Sequence, residues 1–222
     1  GLFLRGKTAP AGGLLRTDLA RLPPPARDLV SEAYRKRRYY TLMRGHRDLD
    51  CMVTSRGCPH RCNFCYNSAH ATRYRPADDC LEELHGLRSR GVRTVEILDD
   101  SFSASRSRAM ELLDRVRRER LGLELRIKCR ADALDEGFAR AAREAGVYQV
   151  SIGAESGSQR LLDAMNKRLQ VRQIASAVEA VRRQGMNCHT SWIVGYPGET
   201  PETLAETAGL VTRLKPTTAG FS

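Results

Sequence analysis

The chain has 222 residues, 41% of them hydrophobic and 28% charged. That is ordinary globular usage and excludes a wholly disordered chain; no apolar run reaches the roughly 18–20 residues of a membrane span. The net charge of +11 rests on 37 basic residues, 32 of them Arg, but they are scattered. The two basic clusters, 35–38 and 115–120, fall in helical patterns and read as solvated faces, so nucleic acid is not the expected partner. No signal-peptide pattern opens the sequence, and a cytoplasmic location is expected.

Residues 1–48 lack regular patterning and read as a linker or lead-in segment. Leu22-Pro23-Pro24-Pro25 is a stiff extended element, and 26–38 reads as a helix. From about residue 49 to 222 short β-type runs alternate with longer helical ones. The predicted strands are 51–55, 92–98, 123–129, 147–153, 187–195 and one beginning near Thr218.

Predicted helices lie between them. Residues 77–90 place Leu81, Leu84 and Leu87 at helical spacing, and 105–120 place Met110, Leu113 and Val116 on one face. Residues 135–145 and 171–184 behave likewise, and Thr200-Pro201-Glu202 reads as an N-cap followed by Pro at the first helical position. Gly91, Gly122, Gly146 and Gly185 follow four of the helices, as left-handed caps leading into strands do.

Strand, helix, strand with no two strands adjacent means parallel pairing through right-handed crossovers. Six strands are too few for an eight-unit barrel of roughly 250 residues. The expected fold is α/β, a partial (β/α)6 TIM-type barrel clipped at its C-terminal end; a doubly wound sheet is the alternative. Charged and apolar residues alternate along Glu124-Leu125-Arg126-Ile127-Lys128-Cys129-Arg130 and again along 149–155. One strand face therefore meets something polar, unlike strands covered on both faces. A bound polar ligand is one reading and an edge strand facing water is the other.

Seven cysteines stand at 51, 58, 62, 65, 80, 129 and 188. Their odd number and the cluster of three argue against a secreted disulfide scaffold. Cys58, Cys62 and Cys65 have C-x3-C-x2-C spacing in a loop bent by Gly57 and Pro59. A structural zinc site requires four ligands. Cys62-x2-Cys65-x4-His70 begins like a zinc knuckle, but Arg75 stands where the fourth ligand belongs, and His60 could serve only with awkward local geometry. An iron–sulfur cluster with one iron left open fits three thiolates better. The other four cysteines sit in strand or helix patterns, where a small buried thiol is common.

This loop, with Phe64 just before the third cysteine, resembles the radical S-adenosylmethionine (radical SAM) motif. Thr54-Ser55-Arg56-Gly57-Cys58-Pro59 is similar to the lead-in of members that carry a cobalamin-binding domain. So are 97–102, Gly153-Ala154-Glu155-Ser156-Gly157 and Gly195-Tyr196-Pro197-Gly198-Glu199-Thr200, and 22–29 looks like the linker of those members.

The resemblance implies a [4Fe–4S] cluster on Cys58, Cys62 and Cys65. Its open iron would chelate S-adenosylmethionine, whose reductive cleavage gives a 5′-deoxyadenosyl radical. Phe64 would lie beside the adenine. Asp99 and Asp100 would receive the methionine ammonium, unless they are a solvated turn. Arg130 would hold the methionine carboxylate, unless it is a surface residue. Glu155 would accept from the ribose hydroxyls. Ile193 and Gly195 would pack on adenine, unless they are ordinary strand packing.

A small-molecule substrate and a flavodoxin- or ferredoxin-type reductant are the implied partners. The expected reaction is methylation of an unactivated centre in a cobalamin-associated system. The alternatives are a radical cyclase resembling the anaerobic magnesium-protoporphyrin ester cyclases and a non-enzymatic iron–sulfur electron-transfer or sensing protein. No Asp-x-His-x-x-Gly signature stands in this sequence, so any cobalamin is expected on a domain outside this chain.

Overall fold

The computed structural model describes residues 18–30, 48–67 and 70–222. Among the described residues eight strands are present: β1 (Leu49–Met52), β2 (Ser55–Arg56), β3 (Arg73–Tyr74), β4 (Thr94–Ile97), β5 (Glu124–Cys129), β6 (Val147–Glu155), β7 (Asn187–Trp192) and β8 (Thr218–Phe221). The six longer ones form a single parallel sheet in the order β1-β4-β5-β6-β7-β8. This is the partial TIM-type barrel expected from the alternation, with β1 and β8 as its open edges. The short β2 and β3 pair antiparallel, Ser55 opposite Tyr74 and Arg56 opposite Arg73. That ladder was not predicted; two residues per strand are too few to leave a periodic signal.

The helices are α1 (Ala77–Ser89), α2 (Arg106–Glu119), α3 (Glu136–Glu144), α4 (Gln159–Ala164), α5 (Val171–Arg183) and α6 (Pro201–Leu214). Their starts are chemically marked. Ser105 and Asp135 accept from the amides of Arg108 and Phe138, and Thr200 forms a reciprocal box with Thr203 ahead of Pro201. Their ends follow the glycine rule with one correction. Gly91, Gly122, Gly146 and Gly185 all take positive φ beyond α1, α2, α3 and α5, but the cap of α2 is Arg120, itself left-handed at φ 49°, with Gly122 at φ 63° two residues on. Gly146 is compulsory, because a Cβ there would stand 2.5 Å from the Leu123 carbonyl oxygen.

The core lies between the sheet and the helices. On β5, Leu125, Ile127 and Cys129 are buried, and they pack with Leu113 of α2, Phe138 of α3 and Val178 of α5. Each large apolar side chain so buried contributes about 1.5–3 kcal/mol. The opposite strand faces form a polar lumen. Register pairs Glu96 with Arg126, Arg126 with Gln149, Lys128 with Ser151 and Ser151 with His189. Parallel registration puts these side chains in layers across the inside of the barrel.

Before β1 the described chain is irregular. The expected helix over 26–38 is a short 3-10 turn at Arg27–Val30, and residues 31–38 lie outside the described residues. Arg27 donates to Asp50 at 3.0 Å, to Glu83 at 2.6 Å and to the Cys51 carbonyl at 2.7 Å. Arg75 donates to the other Glu83 oxygen at 2.5 Å. Glu83, buried on α1, is thus answered by two guanidiniums, which is what a buried carboxylate requires.

Candidate functional site

The three clustered cysteines lie in the loop between β2 and β3, above the C-terminal ends of the parallel strands. Gly57 sends the chain into it with φ 96°; a Cβ there would come within 2.6 Å of the Ala71 carbonyl oxygen. Hydrogen bonds from His70 N to Cys58 O, 2.9 Å, and from Cys65 N to Cys62 O, 3.2 Å, fold the loop on itself. The C-terminal turn of α4 clasps it from the side. Asn63 N donates to Met165 O at 2.9 Å, Asn63 Nδ2 to Ala164 O at 3.0 Å, and Asn166 Nδ2 to Arg61 O at 2.6 Å.

Cys62 is buried, while Cys58 and Cys65 are half-buried, and all seven cysteines are free thiols. Burial pushes the Cys58 thiol up, against the His60 amide that hydrogen-bonds to it. His60 is pushed down by burial and by the nearby Arg130 charge. Among the described residues, no three His, Cys, Asp or Glu side chains converge on a point that one metal ion would fill. In a polynuclear cluster each cysteine binds a different iron, so its cysteines stand apart.

Beneath the loop is a cavity of about 330 Å³ lined by Cys58, Cys62, Cys65, Phe64, Asp100 and Arg130, with Glu155 and Lys167 opposite. That size is within the roughly 300–1,000 Å³ of small-ligand pockets. Arg130 is 7% exposed, so the surface alternative does not hold. It donates to the Lys167 carbonyl at 2.8 Å, to Asp132 at 3.2 Å and toward Cys62 Sγ at 3.8 Å. Glu155 ends β6 with φ 66° and pairs with Lys167 at 2.6 Å.

Lys167 Nζ also stands 5.5 Å from the centre of the Phe64 ring, within cation–π range. No motif or hydrophobic period in the sequence marks Lys167. It follows a short helix, α4, that was also unpredicted, and nothing in the Asn166-Lys167-Arg168 run distinguishes a buried Lys from a solvated one.

Three expected ligand-binding residues lie elsewhere. Asp99 is 1% exposed, and its carboxylate accepts four hydrogen bonds, from the amides of Thr54 and Ser55 at 2.6 and 3.0 Å and from their hydroxyls at 2.5 and 2.7 Å. Both oxygens are committed to fastening the end of β1 to the end of β4, which corrects the expectation that Asp99 and Asp100 share a role. Asp100 is exposed and accepts from Gly57 N and Asn67 Nδ2, each at 2.8 Å.

Ile193 and Gly195 do not line the cavity. The Gly195 amide donates to Glu199 at 2.7 Å, closing the turn before α6. Part of the Gly153–Gly157 segment is packing as well. Gly157 lies so close to α6 that a Cβ would stand 2.6 Å from Thr207 Cα, and the Gly157 amide donates to Thr207 Oγ1 at 2.9 Å.

The fold and the cysteine loop define a class of protein. A family model described as the Radical SAM superfamily matches residues 52–211, and the chain belongs to that superfamily. An uncharacterized methyltransferase of Pyrococcus horikoshii is 32% identical over 167 residues, 73% of this chain and 36% of its own length. Tryptophan 2-C-methyltransferase of Streptomyces laurentii is 28% identical over 191 residues, 78% of this chain and 32% of that protein. Anaerobic magnesium-protoporphyrin IX monomethyl ester cyclase of Rubrivivax gelatinosus is 28% identical over 173 residues, 76% and 31% respectively.

Among solved structures, the radical S-adenosylmethionine methyltransferase TsrM of Kitasatospora setae aligns with TM-score 0.74 and 25% identity, over 79% of this chain and 35% of that one. The cobalamin-dependent S-adenosylmethionine radical enzyme OxsB aligns with TM-score 0.75 and 19% identity, over 88% and 29%, a likeness of fold alone. The chain spans about a third of the length of these curated relatives. Among the described residues no helix is long and apolar enough to cross a membrane.

Proposed function

We propose that this chain is the core of a radical SAM enzyme that methylates an unactivated centre in a cobalamin-associated system, with residues 1–48 as its lead-in. The observation that carries the reading is the meeting of Cys58, Cys62 and Cys65 with Phe64, Arg130 and Glu155 around one cavity at the C-terminal strand ends. Barrel enzymes place their chemistry on that face. The three cysteines would hold a [4Fe–4S] cluster, which supplies the electron for reductive cleavage of S-adenosylmethionine.

The chain's own residues position and shield. Arg130 directs a guanidinium toward the Cys62 sulfur and brings positive charge to an anionic centre. Glu155 offers the cavity a carboxylate that ribose hydroxyls can donate to, and Lys167 keeps that carboxylate in place. Phe64, 37% exposed, gives adenine a flat apolar face. Asp100 is the accessible carboxylate suited to an ammonium, and Asp99 holds the strand end beside it. A flavodoxin- or ferredoxin-type protein would supply electrons. The seven free thiols fit a reducing cytoplasm.

The methyltransferase-named relatives support methylation, and the ester cyclase at 28% identity supports ring formation as the second reading. The test is electron paramagnetic resonance of the anaerobically reconstituted, dithionite-reduced protein. The expected result is a four-iron signal that changes on adding S-adenosylmethionine, followed by detection of 5′-deoxyadenosine or of S-adenosylhomocysteine and methylated product. A cluster signal indifferent to the compound would favour an electron carrier instead.

A further inference from the structure

Below the cofactor residues the cavity continues along side chains that the reading above does not use. Arg126 and Lys128 of β5, Ser151 of β6 and His189 of β7 line it. Gln149 shares the lumen face with Ser151, two residues along the same strand, and registers beside Arg126.

These groups are poorly matched to one another. Gln149 is fully buried, and neither its Oε1 nor its Nε2 has a hydrogen-bond partner among the described residues; the same holds for Ser151 Oγ and Arg126 Nε. Glu96 reaches Arg126 at 3.4 Å from one side only. Lys128 is exposed on the cavity wall and makes no ion pair among the described residues. Its neighbour His189 already engages Thr218 Oγ1 at 2.8 Å.

The unmet buried atoms are a guanidinium N–H, a hydroxyl and both ends of the Gln149 amide, and the exposed Lys128 ammonium stands beside them. Buried polar atoms in native proteins are nearly always paired, so these four atoms call for a polar partner, and the accessible Lys128 ammonium beside them favours one that carries negative charge. Glu96 is the carboxylate in this layer, and it faces Arg126 rather than Lys128.

We propose that this layer of the lumen binds an anionic oxygen group of the substrate, a carboxylate or a phosphoryl group, through Lys128 and Arg126, with Gln149 and Ser151 as neutral donors. The inference deepens the enzyme reading, since it takes this cavity for the active site, and it names the chemical class of the substrate. Two charge-assisted hydrogen bonds would orient such a group and hold the rest of the substrate up toward the cofactor.

The test is isothermal titration of the reconstituted protein with inorganic phosphate and, separately, with succinate. The two arms distinguish phosphoryl from carboxylate recognition. Saturable binding of one anion is expected, weakened about tenfold or more in Lys128→Met and in Arg126→Met and restored in part by Lys128→Arg. Arg118→Met, on a side chain 71% exposed on the outer face of α2, should leave it unchanged. Failure of both anions to bind, or equal loss in Arg118→Met, would overturn the proposal and leave water as the partner of these donors. The paramagnetic response to S-adenosylmethionine is read on the same samples. Its persistence without anion binding sinks this inference alone, and anion binding without that response sinks the enzyme reading alone.

Discussion

Lys167 Nζ lies 2.6 Å from Glu155 Oε1, with the two side chains only 7% and 10% exposed. Twelve residues separate them, yet they close one wall of the cavity together. Replacing one partner of a buried pair strands the other charge, which costs about 3–5 kcal/mol. Lys167→Met is therefore expected to lower stability by that order. The double change Lys167→Met with Glu155→Gln should cost less than the two single changes added together, as equilibrium denaturation of all four proteins would show.

Asp99 and its neighbour Asp100 should separate cleanly. Asp99→Ala removes the acceptor of four buried hydrogen bonds and is expected to cost more than about 3 kcal/mol. Asp99→Asn should cost less. Its carbonyl can stay on the two amides while its NH2 faces the hydroxyls of Thr54 and Ser55, which can turn to accept. Asp100→Ala, at an exposed position, should leave the melting temperature within a few degrees of the parent and weaken the S-adenosylmethionine-induced change in the cluster signal. Equal melting losses in Asp99→Ala and Asp100→Ala would contradict this division.

The guanidinium of Arg130 lies 3.8 Å from Cys62 Sγ. A cation beside a ligating sulfur favours the reduced, more negative state of a cluster. Arg130→Met is expected to shift the midpoint potential in the negative direction, measured by redox titration followed by paramagnetic resonance. A potential equal to that of the parent would mean that Arg130 acts only through its bonds to the Lys167 carbonyl and Asp132.

Thiol chemistry should sort the cysteines by place. Desolvation pushes Cys80 up to about 11 and Cys129 and Cys188 up to about 12. A raised thiol pKa means less thiolate at any pH below it, so these three should resist alkylation throughout pH 7–9. Cys51 is exposed and Cys58 and Cys65 are half-buried, so these three should react first in the cluster-free protein, and increasingly as pH rises. Reconstitution should protect Cys58, Cys62 and Cys65 while Cys51 stays reactive, as peptide mass spectrometry of iodoacetamide adducts would show.

Local features are legible in the chain alone. Hydrophobic period separated the six strands of the large sheet from the longer helices, and Thr200 ahead of Pro201 marked the start of α6, because caps and periods act within a turn or two of the chain; the short β2, β3 and α4 left no such signal. The C-x3-C-x2-C spacing identified the loop that would hold a cluster, since three cysteines within eight residues must share one neighbourhood. The alternation in Glu124–Cys129 likewise announced a polar lumen.

The tertiary structure decided which charges are buried and what they meet. Asp99 and Asp100 are adjacent in sequence but point to opposite sides of a strand end, so one becomes a structural anchor and the other stays exposed. Lys167 reaches Glu155 and Phe64 only because α4 and the left-handed residues Asn166 and Arg168 turn the chain back over the sheet. The burial of a charge is set by neighbours remote in the chain, and a pattern of period two or 3.6 carries no information about them.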